Sequence, residues 1–227
     1  MITFYAAVGC YRIKTEDGRK TAYIQKLGKY HEISVPEFAI WSALLWQVMT
    51  YEELKAAYEE IMTHQTQPVP DFDQLLKLLL KRKLVISGVG YTGVDALYRM
   101  LADAFVVPYR ISAPRKAWGL IRLVLKGKIP VIGAISAAKE NKLKPNEARV
   151  VDLVEQTPLS TAELVRCFDL DLYDVSTPEK VIAGIYTDCE STQQEIAAEQ
   201  FWSPNTNVVL EAVSNLYLSR RVILEIP

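Results

Sequence analysis

The segment SVPEFAIWSALLWQVMTYEELKAAY, residues 34 to 58, has the clearest helical pattern in this 227-residue chain. After Pro36, apolar residues recur at the three- and four-residue spacing of a helix with one buried face. Thr50 and Glu53 then match a capping box, in which a hydroxyl and a carboxylate satisfy the free amides at a helix start. The pattern predicts two short consecutive helices, the second over YEELKAAYEEIM at 51 to 62.

A third helix and a strand follow these two helices. DFDQLLKLLLKRK at 71 to 83 starts with acidic and ends with basic side chains, as the helix dipole favours, and LVIS at 84 to 87 is typical of a strand. Residues 2 to 34 are rich in Tyr, Val, Ile and Thr between turn-like segments, which predicts an antiparallel sheet of about three strands. Three short helices followed by a strand indicate a winged-helix module.

The same pattern recurs later in the chain. KPNEARVVDLVEQTPLSTAELVRCF at 144 to 168 aligns with residues 34 to 58 at a constant offset of 110. VSNLYLSRRVIL at 213 to 224 aligns with residues 75 to 86 at an offset of 138, so the second copy holds 28 additional residues. Two alignments in the same order predict a tandem repeat.

The repeat predicts an α+β fold of tandem winged-helix modules with a small N-terminal antiparallel sheet and a helical linker. Residues 1–90 form the N-terminal domain, residues 91–143 a basic helical linker that includes DALYRMLADAF, and residues 144–227 the C-terminal domain. Inserted helices are expected over TPEKVIAGIYTD and STQQEIAAEQF. The apolar C-terminal strand RVILEI at 221 to 226 would suit the edge of a homodimer.

A glycine pattern follows the first copy of the repeat. Gly88, Gly90 and Gly93 match the G-x-G-x-x-G of a dinucleotide-binding turn between a strand and a helix. Such a site needs an acidic residue about 20 positions later to hold a ribose hydroxyl, and residues 107 to 112 contain none. The glycines are therefore predicted to form a tight turn into the linker helix, and a nucleotide-binding enzyme that uses residues 88–93 is a second alternative.

Residues of catalytic chemistry are sparse. The two histidines, His31 and His64, have no cysteine or acidic neighbour at metal-ligand spacing. Cys10, Cys167 and Cys189 are widely separated, as expected of reduced thiols in the cytoplasm. No apolar run approaches the roughly 20 residues that span a bilayer. We predict a cytoplasmic protein that is not an enzyme, with no catalytic residue, no metal and no cofactor.

Charge is segregated along the chain. Residues 104–150 carry 10 basic and 2 acidic side chains, whereas residues 151–227 carry 4 basic and 13 acidic ones. Either the middle of the chain binds an anion such as DNA, or it docks on the acidic end. The candidate DNA contacts are Arg110, Arg115, Lys116, Trp118, Arg122, Lys126 and Lys128. The first function predicted is a DNA-associated transcriptional regulator.

The first 90 residues also carry a family pattern. HEISVPEFAIW at 31 to 41 keeps the apolar and Ile-Trp positions of the pattern ELN-x-T-x-x-x-I-W, with Ser34-Val35-Pro36 where Asn and Thr are usual. With three strands before it and three helices around and after it, this region resembles the PqqD-like peptide-recognition domain.

The resemblance implies β-augmentation, in which a peptide adds a strand to the edge of the N-terminal sheet beside the third helix. It implies an edge that runs from Tyr30 to Ser34, with Tyr30, His31, Ile33 and Ser34 as the binding residues, and a groove wall that includes Leu76, Leu79 and Leu80. An adaptor that binds a strand-forming peptide or protein segment is therefore the alternative to DNA binding.

Overall fold

The computed structural model describes residues 1–16, 19–63, 70–109, 142–186 and 192–227. These residues form helices together with small antiparallel sheets, which confirms the expected mixed α+β class. The strands are β1 Ile2–Ala7, β2 Cys10–Glu16, β3 Arg19–Lys26, β4 Lys29–Glu32, β5 Met49–Thr50, β6 Val85–Gly90, β7 Phe105–Pro108, β8 Leu159–Ser160 and β9 Val222–Glu225. The helices are α1 Val35–Leu44, α2 Tyr51–Met62, α3 Phe72–Lys81, α4 Gly93–Leu101, α5 Pro145–Gln156, α6 Thr161–Asp169, α7 Pro178–Ile185, α8 Gln193–Gln200 and α9 Thr206–Leu218.

The helices predicted from the sequence are present. Thr50 caps α2 together with Glu53, and Ser34 and Glu37 cap α1 in the same way. The two helices expected in the insertion of the second copy are α7 and α8. The caps explain why these helices start where the sequence indicates, because each one satisfies amides that have no partner within the helix.

The N-terminal region contains one strand more than predicted. Strands β2, β3 and β4 form the expected three-stranded antiparallel sheet. Strand β1 pairs instead with β5 and β6 in a separate sheet. The N-terminal sheet therefore ends at β4, which leads directly into α1.

Two sheets have the same plan, one in each half of the chain. In β5-β1-β6 and β8-β7-β9, a central strand lies between a two-residue strand that precedes a helix and a strand that follows a helix. Phe4 is opposite Thr50 in the first sheet, and Phe105 is opposite Ser160 in the second. Thr50 and Ser160 both cap the next helix, which agrees with the offset of 110.

The second offset is 137 rather than the predicted 138. Lys83 and Arg220 are the residues of positive φ that follow α3 and α9, at 53° and 63°. The next N–H in each copy, that of Leu84 and of Arg221, donates to a carbonyl five residues earlier. The sequence alignment was wrong by one position because runs of leucine match almost equally well in adjacent registers.

Part of the predicted linker belongs to the hydrophobic core. Helix α4 packs on β6, and β7 is the central strand of the second sheet. Tyr98 of α4 and Val106 of β7 are buried in one apolar cluster together with residues of α5, α6 and α9. Tyr217 of α9 also reaches the first half, with its hydroxyl 3.3 Å and 3.0 Å from the backbone oxygens of Ala7 and Leu44. Residues 93–108 therefore connect two halves that pack together.

Strand β9 is not a free edge for a dimer. All four of its residues are buried, and one side of the strand pairs with β7. On the other side, the oxygen of Leu224 accepts a hydrogen bond of 2.7 Å from the N–H of Gly9. The homodimer edge predicted at 221 to 226 is therefore wrong, because the first half of the same chain lies against it.

Candidate peptide-binding edge

Strand β4 is the outer strand of the sheet β2-β3-β4. It pairs with β3 from Lys29 to Glu32, and in the described part of the chain no strand pairs with its other side. Leu27 and Gly28 join β3 to β4, both with positive φ (46° and 76°), as in a type I′ hairpin turn. This turn fixes the register of β4 against β3.

The register determines which backbone groups of β4 face outward. The N–H of Ile33 donates to Ala22 in β3, so His31, two residues earlier, also directs its backbone groups toward β3. Tyr30 and Glu32 alternate with these residues and direct their N–H and C=O groups away from the sheet. Of the predicted edge residues, Tyr30 is placed as expected, with 49% of its surface exposed. Glu32 lies within the predicted edge of residues 30 to 34 but was not among the binding residues singled out there.

The other predicted edge residues are not open to a new strand. Ser34 donates its N–H to the carboxylate of Glu37 at 2.8 Å, because it caps α1. Ile33 is a buried core residue. The side chain of His31 is partly buried, and its Nε2 has no hydrogen-bond partner among the described atoms. These three positions are corrections to the predicted edge.

Arg82 closes one end of the edge. This residue is the C-cap of α3, and its guanidinium donates to the backbone oxygen of Glu32 and, at 2.7 Å, to the carboxylate of Glu37. Among the described groups, the N–H and C=O of Tyr30 and the N–H of Glu32 then remain available. Sequence reasoning missed the role of Arg82. Its signal was the basic end of the third helix, because basic side chains there can reach a neighbouring backbone oxygen.

The groove wall predicted on α3 is only partly present. Leu76 and Leu79 are buried core residues, at 5% and 0% exposure, so a ligand in the groove does not reach them. Leu80 is partly buried against the same core. The side chains that α3 exposes include Lys77 and Leu78. The prediction was wrong for Leu76 and Leu79 because the most apolar face of α3 packs against the core of the protein.

Basic side chains surround the edge. Burial lowers the pKa of Lys26, the nearby charges of Lys83 and Lys29 act in the same direction, and Glu225 acts to raise it. Burial also lowers the pKa of His31, followed by the effects of Lys26, Arg82 and Lys29. Each of these cations is therefore close enough to oppose the protonation of a neighbour, and the region around β4 carries positive potential.

The glycine pattern is explained by helix packing rather than by a ligand. Gly88 and Gly90 lie within β6, and only Gly93 begins α4, so the predicted tight turn is wrong. A Cβ on Gly88 would lie 2.2 Å from the backbone oxygen of Ala96, and a Cβ on Gly90 would lie 2.3 Å from the backbone nitrogen of Ala96. Helix α4 therefore rests directly on the backbone of β6.

Neither the strands nor the helix start match a dinucleotide site. Strand β6 runs antiparallel to β1, and β7 belongs to another sheet. At the start of α4, the carboxylate of Asp95 accepts the N–H of Tyr91 at 2.9 Å, and Thr92 accepts the N–H of Asp95. Arg99 and the Tyr91 N–H lower the pKa of Asp95. The negative charge of Asp95 at this helix start opposes the binding of a phosphate there. An open cleft of about 270 Å³ lies between this helix start and the turn that carries Trp202.

The predicted DNA contacts lie outside the described residues. They are Arg110, Arg115, Lys116, Trp118, Arg122, Lys126 and Lys128. In the predicted winged-helix plan, α3 and α9 are the helices that would read DNA. Helix α3 starts with Asp71 and Asp73, and α9 exposes Glu211, which pairs with Lys144 at 2.8 Å. Neither α3 nor α9 presents a continuous basic face to a phosphate backbone.

Groups of metal ligands are absent from the described residues, in which no three His, Cys, Asp or Glu side chains come together. No helix within the same ranges is long and apolar enough to cross a bilayer. Cys10 and Cys167 are buried free thiols, and burial raises the pKa of both. His64 and Cys189 lie outside the described residues.

Comparison with known proteins gives no relative: no protein-family model, no curated protein and no solved structure matches the chain. The function is therefore argued from the site alone.

Proposed function

We propose that this protein binds peptides, and that an extended segment of a partner adds a strand to the outer side of β4. The observation that carries the proposal is the set of backbone groups on Tyr30 and Glu32 that face outward without a strand on them in the described part of the chain. An unpaired strand edge is a template for another strand, and domains that bind peptides by β-augmentation use it in this way.

The tandem winged-helix arrangement and the PqqD-like first half belong to the same proposal. The matching plans of the two small sheets and the helix caps that recur at an offset of 110 support the tandem arrangement. The three strands β2 to β4 followed by α1, α2 and α3 support the PqqD-like likeness. In this proposal the protein is a non-catalytic adaptor in the cytoplasm.

The test starts from a displayed library of random twelve-residue peptides, selected on the purified protein. Selected peptides should shift the amide resonances of Tyr30 and Glu32 in an NMR titration. Glu32→Pro should abolish binding, because proline removes an N–H that faces the ligand and leaves the bonds to β3 intact. The matched control Glu32→Gln keeps the N–H and should bind normally.

Two results of this experiment would contradict peptide binding at β4. One is a library that yields no enriched peptide. The other is a set of peptides that bind Glu32→Pro as tightly as the unaltered protein, provided that thermal unfolding shows the variant to be folded.

DNA binding by the central basic segment stays a prediction. It expects duplex binding that weakens steeply as salt increases and that weakens further in the double variant Arg115→Ala, Arg122→Ala. Failure of the unaltered protein to shift any duplex at low salt would exclude it. No described residue adds support to this function, whereas the open edge of β4 supports peptide binding.

A further inference from the structure

The open edge of β4 is too short to bind a partner through backbone bonds alone. The outward groups of Tyr30 and Glu32 provide at most three hydrogen bonds, because Arg82 already occupies the oxygen of Glu32. Each such bond contributes a factor of about 2 to 10 in affinity in water. The loss of translational and rotational freedom on association exceeds this gain. Side chains of the partner must therefore supply the remainder.

Positive side chains approach the edge from both faces of the sheet. On the face that carries Tyr30, the Nζ of Lys14 lies 4.2 Å from the centre of the tyrosine ring. Lys29 and His31 alternate with Tyr30 along β4 and belong to the opposite face, where Lys26 is opposite Lys29 on β3. A strand added at this edge would have cations beside both rows of its side chains.

The end of α3 contributes two further cations, Arg82 and Lys83. Arg82 contacts the strand itself, and the Nζ of Lys83 donates to the backbone oxygen of Pro227 at 2.7 Å. Two nearby carboxylates are already engaged. Glu37 pairs with Arg82, and Glu225 is buried and accepts the N–H of Leu27 at 3.0 Å.

Two of the edge lysines have no carboxylate to neutralise them. Within the described side chains, Lys14 and Lys29 form no ion pair, whereas the ammonium of Lys83 is held by the oxygen of Pro227. Glu32 is the one carboxylate on β4 itself. The positive charge around the edge is therefore available to a ligand.

We infer that the partner segment is acidic, an extended peptide that carries Asp or Glu side chains next to the residues that pair with Tyr30 and Glu32. This inference rests on the proposed function and specifies its ligand. Alternate carboxylates would fall on one face of the added strand, near Lys29 and Lys83 or near Lys14, according to its register. Opposite charges would then speed encounter and reject basic strands.

Three eight-residue peptides test the inference: four Val–Glu repeats, four Val–Gln repeats and four Val–Lys repeats. They share length and strand propensity and differ only in charge. By fluorescence anisotropy in about 0.02 M salt, the Glu peptide should bind at least about tenfold more tightly than the Gln peptide, and the Lys peptide most weakly. The advantage of the Glu peptide should shrink in about 0.3 M salt, because exposed charges are screened.

Single lysine variants locate the effect. One of the two variants Lys29→Gln and Lys14→Gln, according to the face that the carboxylates take, should weaken binding of the Glu peptide by about fivefold in low salt, and both should leave the Gln peptide unaffected. The matched control is Lys142→Gln, which removes an exposed lysine just before α5 and should change neither affinity.

The remaining outcomes separate this inference from the proposed function. Equal binding of the three peptides that is lost in Glu32→Pro would overturn the acidic ligand and leave peptide binding in place. If none of the three peptides binds and the library yields no binder, both proposals fail. Displacement of the Glu peptide by a ten-nucleotide oligothymidylate would also overturn the inference, since the surface would then bind phosphate chains.

Discussion

The guanidinium of Arg82 donates a hydrogen bond to the backbone oxygen of Glu32, and so joins the end of α3 to the outer edge of β4. The same side chain pairs with the carboxylate of Glu37 at the start of α1. One arginine thus fixes three elements around the strand edge. It also limits the edge, because it occupies an outward oxygen that a longer added strand would use.

Replacement of Arg82 should reduce stability. Arg82→Ala removes two charge-assisted hydrogen bonds and leaves the largely buried carboxylate of Glu37 without its cation, so we expect a loss of roughly 2 kcal/mol in the free energy of unfolding. Arg82→Lys should lose less stability than Arg82→Ala because it keeps the positive charge. It should still be less stable than the unaltered protein, because lysine lacks the planar fork that reaches both acceptors. Urea unfolding measures the effect, with the exposed Lys81→Ala as control. Equal stabilities of Arg82→Ala and Lys81→Ala would refute this role.

The glycines of β6 should be intolerant of any side chain. Gly88→Ala and Gly90→Ala should each cost about 3 kcal/mol or more, because the new methyl group would overlap the backbone of α4 and cannot be relieved by a rotamer change. Gly93→Ala is the matched control, since its nearest neighbour is a ring carbon of Phe4 at 3.8 Å. Thermal unfolding distinguishes the three variants. Full tolerance at Gly88 and Gly90, together with stabilisation of the unaltered protein by NAD or ATP, would instead favour a nucleotide site.

The hairpin turn before β4 contains a strained leucine. Leu27 has a φ of 46°. This left-handed conformation costs a residue with a β-carbon about 1 kcal/mol of conformational free energy, and asparagine tolerates it better. Leu27→Asn should therefore raise the free energy of unfolding by up to about 1 kcal/mol and keep the N–H that donates to Glu225. Leu27→Ala keeps the strain and should show no gain. A stability for Leu27→Asn no higher than that of Leu27→Ala would contradict the strain at this position.

Glu225 makes stability depend on pH. Burial raises the pKa of its carboxyl above the ordinary 4.5, although the Leu27 N–H and Lys26 act in the opposite direction. The folded protein therefore holds this proton more strongly than the unfolded chain, and the resulting stability is present below pH 4.5 and lost as pH increases through the raised pKa.

Glu225→Gln removes this titration and keeps an oxygen for the Leu27 N–H. The variant should be more stable than the unaltered protein at pH 7, and the difference should shrink toward pH 4. Urea unfolding at the two pH values measures it. Greater stability of the unaltered protein at pH 7 would mean that attraction to Lys26 outweighs the cost of burial.

Much of the helical framework could be predicted from the sequence, because helix starts depend on local chemistry. A hydroxyl and a glutamate three residues apart, as in Thr50 and Glu53, define a cap without reference to the rest of the chain. The offset of 110 was correct for the same reason, since it aligns caps. The later offset aligned leucines, which do not distinguish neighbouring registers, and it was wrong by one residue.

The site was less predictable because it depends on contacts between distant residues. The sequence around Gly88 matches that of a glycine beside a bound phosphate. Only the structure, in which the backbone of Ala96 lies against Gly88, shows that the glycine makes room for a helix. Ser34 follows β4 in the sequence and could be taken for an edge residue, yet its N–H donates to Glu37 in the cap of α1. Arg82 and Glu32 are 50 residues apart, so the basic end of α3 does not indicate which backbone oxygen Arg82 reaches.

Amide hydrogen exchange at β4 reports strand addition at this edge residue by residue. In the free protein, the amides of Tyr30 and Glu32 should exchange rapidly, whereas those of His31 and Ile33, which face β3, should be protected. Addition of the Val–Glu peptide should slow exchange at Tyr30 and Glu32 by about tenfold or more and leave Ile33 unchanged. Protection of Tyr30 and Glu32 in the free protein, or rapid exchange at both while the peptide is bound, would contradict strand addition at this edge.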